Sequence, residues 1–277
     1  MQKWKWKLLR AGAFRLDGGA MFGLIPKALW SRSFPADEDN RITLQTNCVL
    51  LESPHRLVLI ETGCGNKFAA KERQFYELES RWVGDALREE GVERADITDV
   101  IITHLHFDHA GGLTYLPAPD APIQASFPNA RIHTQRTEWQ DALANRSTMT
   151  RTYLRDHLEP IAEQIIRLDG NSEILPGIHT LPVPGHTWGQ QAILFQDDLG
   201  TLCFPGDMMP TIHHAGDAFN MAYDMLPYQN TQTKRSLLHR ALREGWRLIL
   251  DHEPGPAVVS VIHDDRGRFA LQPTPAL

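Results

Sequence analysis

Short apolar runs recur along the chain and alternate with stretches in which apolar side chains return at helical spacing. The runs Cys48–Leu51, Leu57–Ile60, Val100–Thr103, Ala130–His133, Ile178–Val183, Ala192–Phe195, Thr201–Phe204 and Leu248–Leu250 predict strands. Trp82, Val83, Ala86 and Leu87 predict a helix over Glu79–Glu90, with Gly91 as its stop. Leu237, Leu238, Ala241 and Leu242 predict a second over Gln232–Glu244, closed by Gly245. Region 137–166 has no alternation of period two; Trp139, Leu143, Tyr153, Leu154, Leu158, Ile161 and Ile165 predict a helical insertion there, placed to roof a pocket. Segment 14–35 is apolar but broken by Gly18, Gly19, Gly23 and Pro26, so a packed loop is expected. It would cover core surface, or else line an apolar pocket or a dimer contact. Intermixed strands and helices predict an α/β chain. Nothing resembling a linker, charge block or repeat divides it, so 1–277 is expected to form a single domain.

Composition narrows the functional classes. A net charge of −6 leaves no basic footprint for a phosphate backbone, so no nucleic acid partner is expected. No run approaches the roughly 20 apolar residues of a membrane span, and the basic start is followed only by Leu8-Leu9, too short for a signal-peptide core. Cys48, Cys64 and Cys203 show no CxxC spacing, which implies neither a disulfide framework nor a thiolate metal site. A cytoplasmic location and no membrane association are therefore expected. Thirteen histidines need an explanation, because imidazole is the commonest metal ligand.

That explanation starts at Thr103-His104-Leu105-His106-Phe107-Asp108-His109-Ala110-Gly111-Gly112, directly after the strand Val100–Thr103. Four potential ligands fall within six residues. On a strand end, residues two apart share a face, so His104 and His106 can converge on one ion while Asp108 and His109 reach a neighbouring one. Three further candidates sit where a predicted strand has just ended: His186 after Val183-Pro184-Gly185, Asp207 after Phe204-Pro205-Gly206, and His252 after Leu248–Asp251. A lone histidine at any of these places reads as structural; the joint pattern reads as a two-metal site. The other eight histidines read as structural or surface residues, with His213, close behind Asp207, as the first exception to consider.

The HxHxDH block followed in order by Pro184-Gly185-His186-Thr187, Gly206-Asp207 and His252 resembles the metallo-β-lactamase superfamily, over about Asn47 to His252. The resemblance implies an αββα sandwich of two mixed β-sheets flanked by helices, with His104, His106 and His186 on one metal, Asp108, His109 and His252 on the other, and Asp207 bridging. Glu61-Thr62-Gly63 stands where that family usually has Asp-Thr-Gly, which lengthens one supporting carboxylate by a methylene. Imidazoles and carboxylates without a thiolate suit two Zn2+ ions, with manganese, cobalt or iron as alternatives.

Such a pair of cations ionises water near neutral pH, and a metal-bridging hydroxide attacking a carbonyl is the expected chemistry, with Asp108 as catalytic proton shuttle. Segments Asp17–Lys27 and Met221-Ala222-Tyr223-Asp224 and the His106-Phe107-Asp108-His109-Ala110-Gly111-Gly112 block resemble the branch containing quorum-quenching N-acyl-homoserine lactonases. The resemblance implies a small-molecule lactone as substrate. An organophosphate triesterase, a thioester or β-lactam hydrolase, and a metal-stabilised binding protein are the competing readings. Met21, Phe22, Trp30, Met208 and Met209 are the expected lining for an acyl chain. Lactonases of this branch carry a tyrosine three residues after the bridging aspartate. Here Pro210 stands there, and Tyr223 is the candidate replacement. The apolar N-terminal segment points to a homodimer.

Overall fold

The computed structural model describes residues 2–149 and 151–274. Its strands are β1 (Lys5–Asp17), β2 (Arg41–Ser53), β3 (Arg56–Ile60), β4 (Asp99–Ile101), β5 (Thr114–Tyr115), β6 (Gln124–Ala125), β7 (Arg131–Gln135), β8 (Ile165–Leu168), β9 (Ser172–Leu175), β10 (Ile178–Pro182), β11 (Gln191–Asp197), β12 (Gly200–Phe204), β13 (Arg247–Ile249), β14 (Val258–His263) and β15 (Phe269–Pro273). One sheet has the order β1-β2-β3-β4-β7-β8 and the other β15-β14-β13-β12-β11-β10-β9, with β5 and β6 forming a small ribbon apart. Both sheets are mixed: β3, β4, β7 and β8 run parallel, as do β12 and β13, and the remaining pairs are antiparallel.

The period of two decides which side chains meet. Val49, Leu51, Val58, Ile60 and Ile101 face Ile178, Ile193, Phe195, Leu202, Phe204 and Ile249, forming a dry layer between the sheets. Their neighbours Cys48, Leu50, Leu59, Val100, Ile102 and Ile132 point the other way, against Val83, Leu87, Trp139 and Leu158. On the far side, Leu194, Cys203, Leu248 and Val259 pack on Leu237, Leu238 and Ala241. Burying one large apolar side chain is worth about 1.5–3 kcal/mol, so the dry layer sets how the sheets face each other. All three cysteines are buried and unpaired. No helix among the described residues is long and apolar enough to cross a membrane.

Several elements differ from their sequence-based outlines. The helix expected over Glu79–Glu90 covers only Val83–Glu89, because Glu79 N bonds Ala13 O at 2.9 Å and holds that stretch along β1; Asp85 then accepts from Trp82 N. The C-terminal helix begins earlier, at Pro227, and runs to Glu244, where Gly245 closes it. Within 137–166 helices occupy Arg136–Ala144 and Arg155–Leu158, but Ile165 opens strand β8 beside β7. Segment 14–35 is more regular than expected. Phe14 to Asp17 complete β1, and the Asp17 carboxylate caps a short helix, Gly18–Phe22, by accepting from Ala20 N at 2.7 Å.

Candidate metal centre and cleft

Loops leaving β4, β10, β12 and β13 gather at one edge of the sandwich, where the chain carries its polar side chains outward from the strand ends. Gln191 N bonds Thr103 O at 3.0 Å, tying the loop after β4 to the start of β11 across the two sheets. At Gly206, φ is 61° and a Cβ would lie 2.9 Å from the Thr103 side chain, so only glycine lets the chain turn there and present Asp207.

The seven sequence-predicted residues come together. His104, His106, His186 and Asp207 form one group of ligand atoms within 4.8 Å of one another. Asp207 also belongs to a second group with His109, His252 and Asp251. Its Oδ2 lies 3.1 Å from His186 Nε2, 3.6 Å from His109 Nε2 and 3.8 Å from His104 Nε2, while Oδ1 lies 3.1 Å from His252 Nε2. Asp108 borders the second group, 3.5 Å from His252 Nε2 and 3.9 Å from His109 Nε2. Asp251 was missed by the sequence reading. Its only signal was adjacency to His252, and two carboxylates therefore compete for the second position.

Most rings are held through their other nitrogen. Asp224 sits 2.9 Å from His186 Nδ1, the Gln45 carbonyl 2.9 Å from His252 Nδ1, and Thr103 Oγ1 3.0 Å from His104 Nδ1. Glu61 takes the post at His109: its Oε2 lies 3.1 Å from Nδ1 and its Oε1 accepts from Thr103 N at 2.6 Å. The longer side chain makes both contacts from a backbone φ of 66°, a conformation that costs a non-glycine residue about 1–3 kcal/mol and survives where surrounding bonds enforce it. Such partners fix tautomer and ring orientation.

The geometry fits a pair of metal ions. Ligand nitrogens about 2.0–2.1 Å from a tetrahedral metal stand roughly 3.3–3.4 Å apart; His186 Nε2 and His106 Nδ1 are 3.0 Å apart, and His252 Nε2 and His109 Nε2 are 3.2 Å apart. His104 Nε2 is buried without a hydrogen-bond partner. Protonation tells the same story. Burial opposes charge on His186 and His252, yet Asp207, with Asp224 or Asp251, pushes them up to about 10 and about 9. His109 is likewise raised against its burial by Glu61, Asp207 and Asp108, whereas burial and neighbouring imidazoles hold His104 and His106 well below the usual range. Burial would raise Asp207, but His252, His186 and His109 hold it well below the carboxylate range. Without metal, protons supply the positive charge that this carboxylate requires, and a cation would displace them.

A cleft of 520 Å³ opens onto the cluster, lined by His106, Asp108, Asp207 and His252 at its floor and by Leu16, Met21, Phe75, Tyr76, Phe107, Met149, Met221 and Tyr223 along its walls. Met21 and Tyr223, expected as substrate contacts, are among the residues lining the cleft. Phe22, Trp30, Met208 and Met209 do not line it. Phe22 is buried, stacked on Trp30 at 5.4 Å and on His214 at 5.0 Å. Met208 and Met209 follow Asp207 in a tight turn that sends them into the core beneath the C-terminal helix. His213 packs against Phe34, while the buried His214 lies 2.9 Å from the Met21 carbonyl and anchors the N-terminal segment. The aromatic wall from Phe75, Tyr76 and Phe107 went unread: Phe75 and Tyr76 carry no local motif, and Phe107 sits within the histidine block, where only its neighbours signal chemistry.

An αββα sandwich with two His/Asp groups sharing one aspartate at its loop edge defines a class of metal-centred protein. Residues 41–252 match the metallo-beta-lactamase superfamily, and the chain belongs to that family, with its fold. It is similar to the N-acyl homoserine lactonase AiiA of Bacillus thuringiensis subsp. kurstaki, 28% identical over 168 residues, which span 57% of this chain and 60% of that protein. The alignment thus covers about 60% of the length of the curated relative. Among solved structures, a probable metal-dependent hydrolase from Staphylococcus aureus superposes over the whole of both chains with a TM-score of 0.87 and 27% identity. A dizinc quorum-quenching lactonase in complex with a product superposes with a TM-score of 0.79 and 19% identity, covering 99% of this chain and 98% of that one.

Proposed function

We propose that this protein is a dinuclear-metal hydrolase that opens the ring of neutral lactones, with N-acyl-homoserine lactones as the preferred substrates and zinc as the preferred metal. One observation carries the reading: a carboxylate in contact with both histidine groups stands at the floor of an apolar cleft. When bound, two divalent cations supply polarisation of an ester carbonyl and a water acidic enough to ionise near neutral pH. The chain does the rest. Asp207 and the five histidines would hold the two positions at one edge, Leu16, Met21, Phe107 and Met221 exclude water around an acyl chain, and Asp108 takes the proton released by the attacking water and passes it to the departing alkoxide.

Charge supports a neutral substrate. Among the described residues, the arginine or lysine side chains that line the cleft are Arg15 and Arg41. Both are already paired: Arg15 lies 2.9 Å from Asp37 and 3.1 Å from Glu77, and Arg41 lies 2.9 Å from Asp37 and 2.6 Å from Glu77. A β-lactam carboxylate would find Asp17 and Asp39 in the same lining and no unpaired guanidinium. In a panel of N-hexanoyl homoserine lactone, a phosphotriester, a thioester and a penicillin, kcat/KM for the lactone is expected to exceed the others by on the order of 100-fold. A phosphotriester in the lead would replace the lactone reading, and silence on all four would favour a binding protein.

Asp108 lines the cleft beside His109 and His252, where a free oxygen can reach substrate. Asp108→Asn is expected to lower kcat by roughly 100- to 1,000-fold. Metal analysis on the same sample separates the causes: two metals per chain with kcat unchanged would remove the proton-transfer role.

A further inference from the structure

Glu138 belongs to none of the loops that carry the metal-binding candidates. It lies in the first turn of the helix Arg136–Ala144 and is wholly buried behind them. Its Oε1 accepts from Leu105 N at 2.9 Å, the peptide nitrogen between His104 and His106, and from the Tyr153 hydroxyl at 3.1 Å. The Tyr153 ring packs 5.0 Å from the His106 ring. Its Oε2 accepts from Thr187 Oγ1 at 2.6 Å, next to His186. The His186 turn also rests on the helix itself, for a Cβ at Gly189 would lie 2.3 Å from Glu138 N.

Each of these donors adjoins a histidine of the first group. The second group is braced by different residues, Glu61 at His109 and the Gln45 carbonyl at His252. We propose that Glu138 is a positioning residue for the first metal position alone, holding the loop after β4 and the loop after β10 at the separation that lets His104, His106 and His186 close on one cation. The proposal rests on the reading of the two groups as metal positions. A carboxylate suits the task because its two oxygens meet three converging donors. A glutamine would turn an amide NH2 toward at least one of them.

The test is zinc titration of chelator-stripped protein in competition with a chromogenic chelator, for wild type and Glu138→Gln, with the melting temperature of each metal-free protein recorded. Wild type should take up two equivalents. In Glu138→Gln one equivalent should bind as in wild type and the other about 10- to 100-fold more weakly, the usual cost of losing a residue that orients metal ligands. Anomalous diffraction at one equivalent should place the retained zinc at His109 and His252. Thr187→Val keeps the carboxylate and removes one donor, and should show the same one-sided loss at smaller size, even if Glu138→Gln does not fold. Two wild-type affinities in the variants, or a loss shared equally by both positions in step with a lower metal-free melting temperature, would overturn the proposal. Wild type that binds no zinc would instead overturn the reading of the site.

Discussion

Stripping divalent cations with a chelator is expected to lower the melting temperature of this protein by roughly 10–20 °C and to abolish the lactone hydrolysis proposed for it, with both restored by zinc. The size follows from linkage. A ligand that binds only the folded chain at about 100 times its Kd stabilises it by about 2.7 kcal/mol, so two positions give about 5 kcal/mol. For a chain of this length each kcal/mol moves the midpoint by about 2–4 °C. The unfolded chain competes only weakly, because His104, His106, Asp108 and His109 stay close in it while His186, Asp207 and His252 come from distant loops. Calorimetry with and without chelator checks this. A midpoint that does not move, in protein shown to contain two metals beforehand, would mean that the histidine groups are not what holds them.

Asp207→Asn is expected to leave fewer than one metal per chain and to lower kcat/KM by on the order of 1,000-fold or more. The substitution keeps the volume and removes the single negative charge that faces both groups, with His186 and His252 each 3.1 Å away. A thousandfold corresponds to about 4 kcal/mol, within the several kcal/mol that a catalytic metal supplies. The residual effect of Asp108 or Asp251 on the second position decides whether one ion remains. Elemental analysis and steady-state kinetics on the same preparation provide the check, and a variant retaining two metals with activity within tenfold of wild type would deny Asp207 its bridging place.

The metal cluster was legible because four of its members are crowded into six residues, and the others each follow an apolar run ended by a polar step. Strands such as Leu57–Ile60 and Thr201–Phe204 were equally legible, since short apolar runs bounded by polar or turn residues suit a buried strand better than a helix. Strand β1 was not. Lys5, Lys7 and Arg10 interrupt it, and a register shift between Arg10 and Ala13 breaks its alternation. Strand β8 hid in a region of helical spacing because its ladder with β7, not its own side chains, makes it extended.

The cleft was hardest to read. Phe22 and Met209 have the chemistry of an acyl pocket and lie near the right motifs, yet aromatic stacking and a tight turn carry them into the core. Leu16, Tyr76, Phe107 and Met221 take their place from four separate stretches of chain. The sequence by itself determined which atoms can bind metal and which runs must be buried, because ligand chemistry and hydrophobicity belong to individual residues. Tertiary structure decided how Asp207 faces both histidine groups, that Glu138 reaches Leu105 and Thr187, and which apolar side chains line the cleft. Those are distances between segments far apart in the chain, and they exist only once the two sheets have packed.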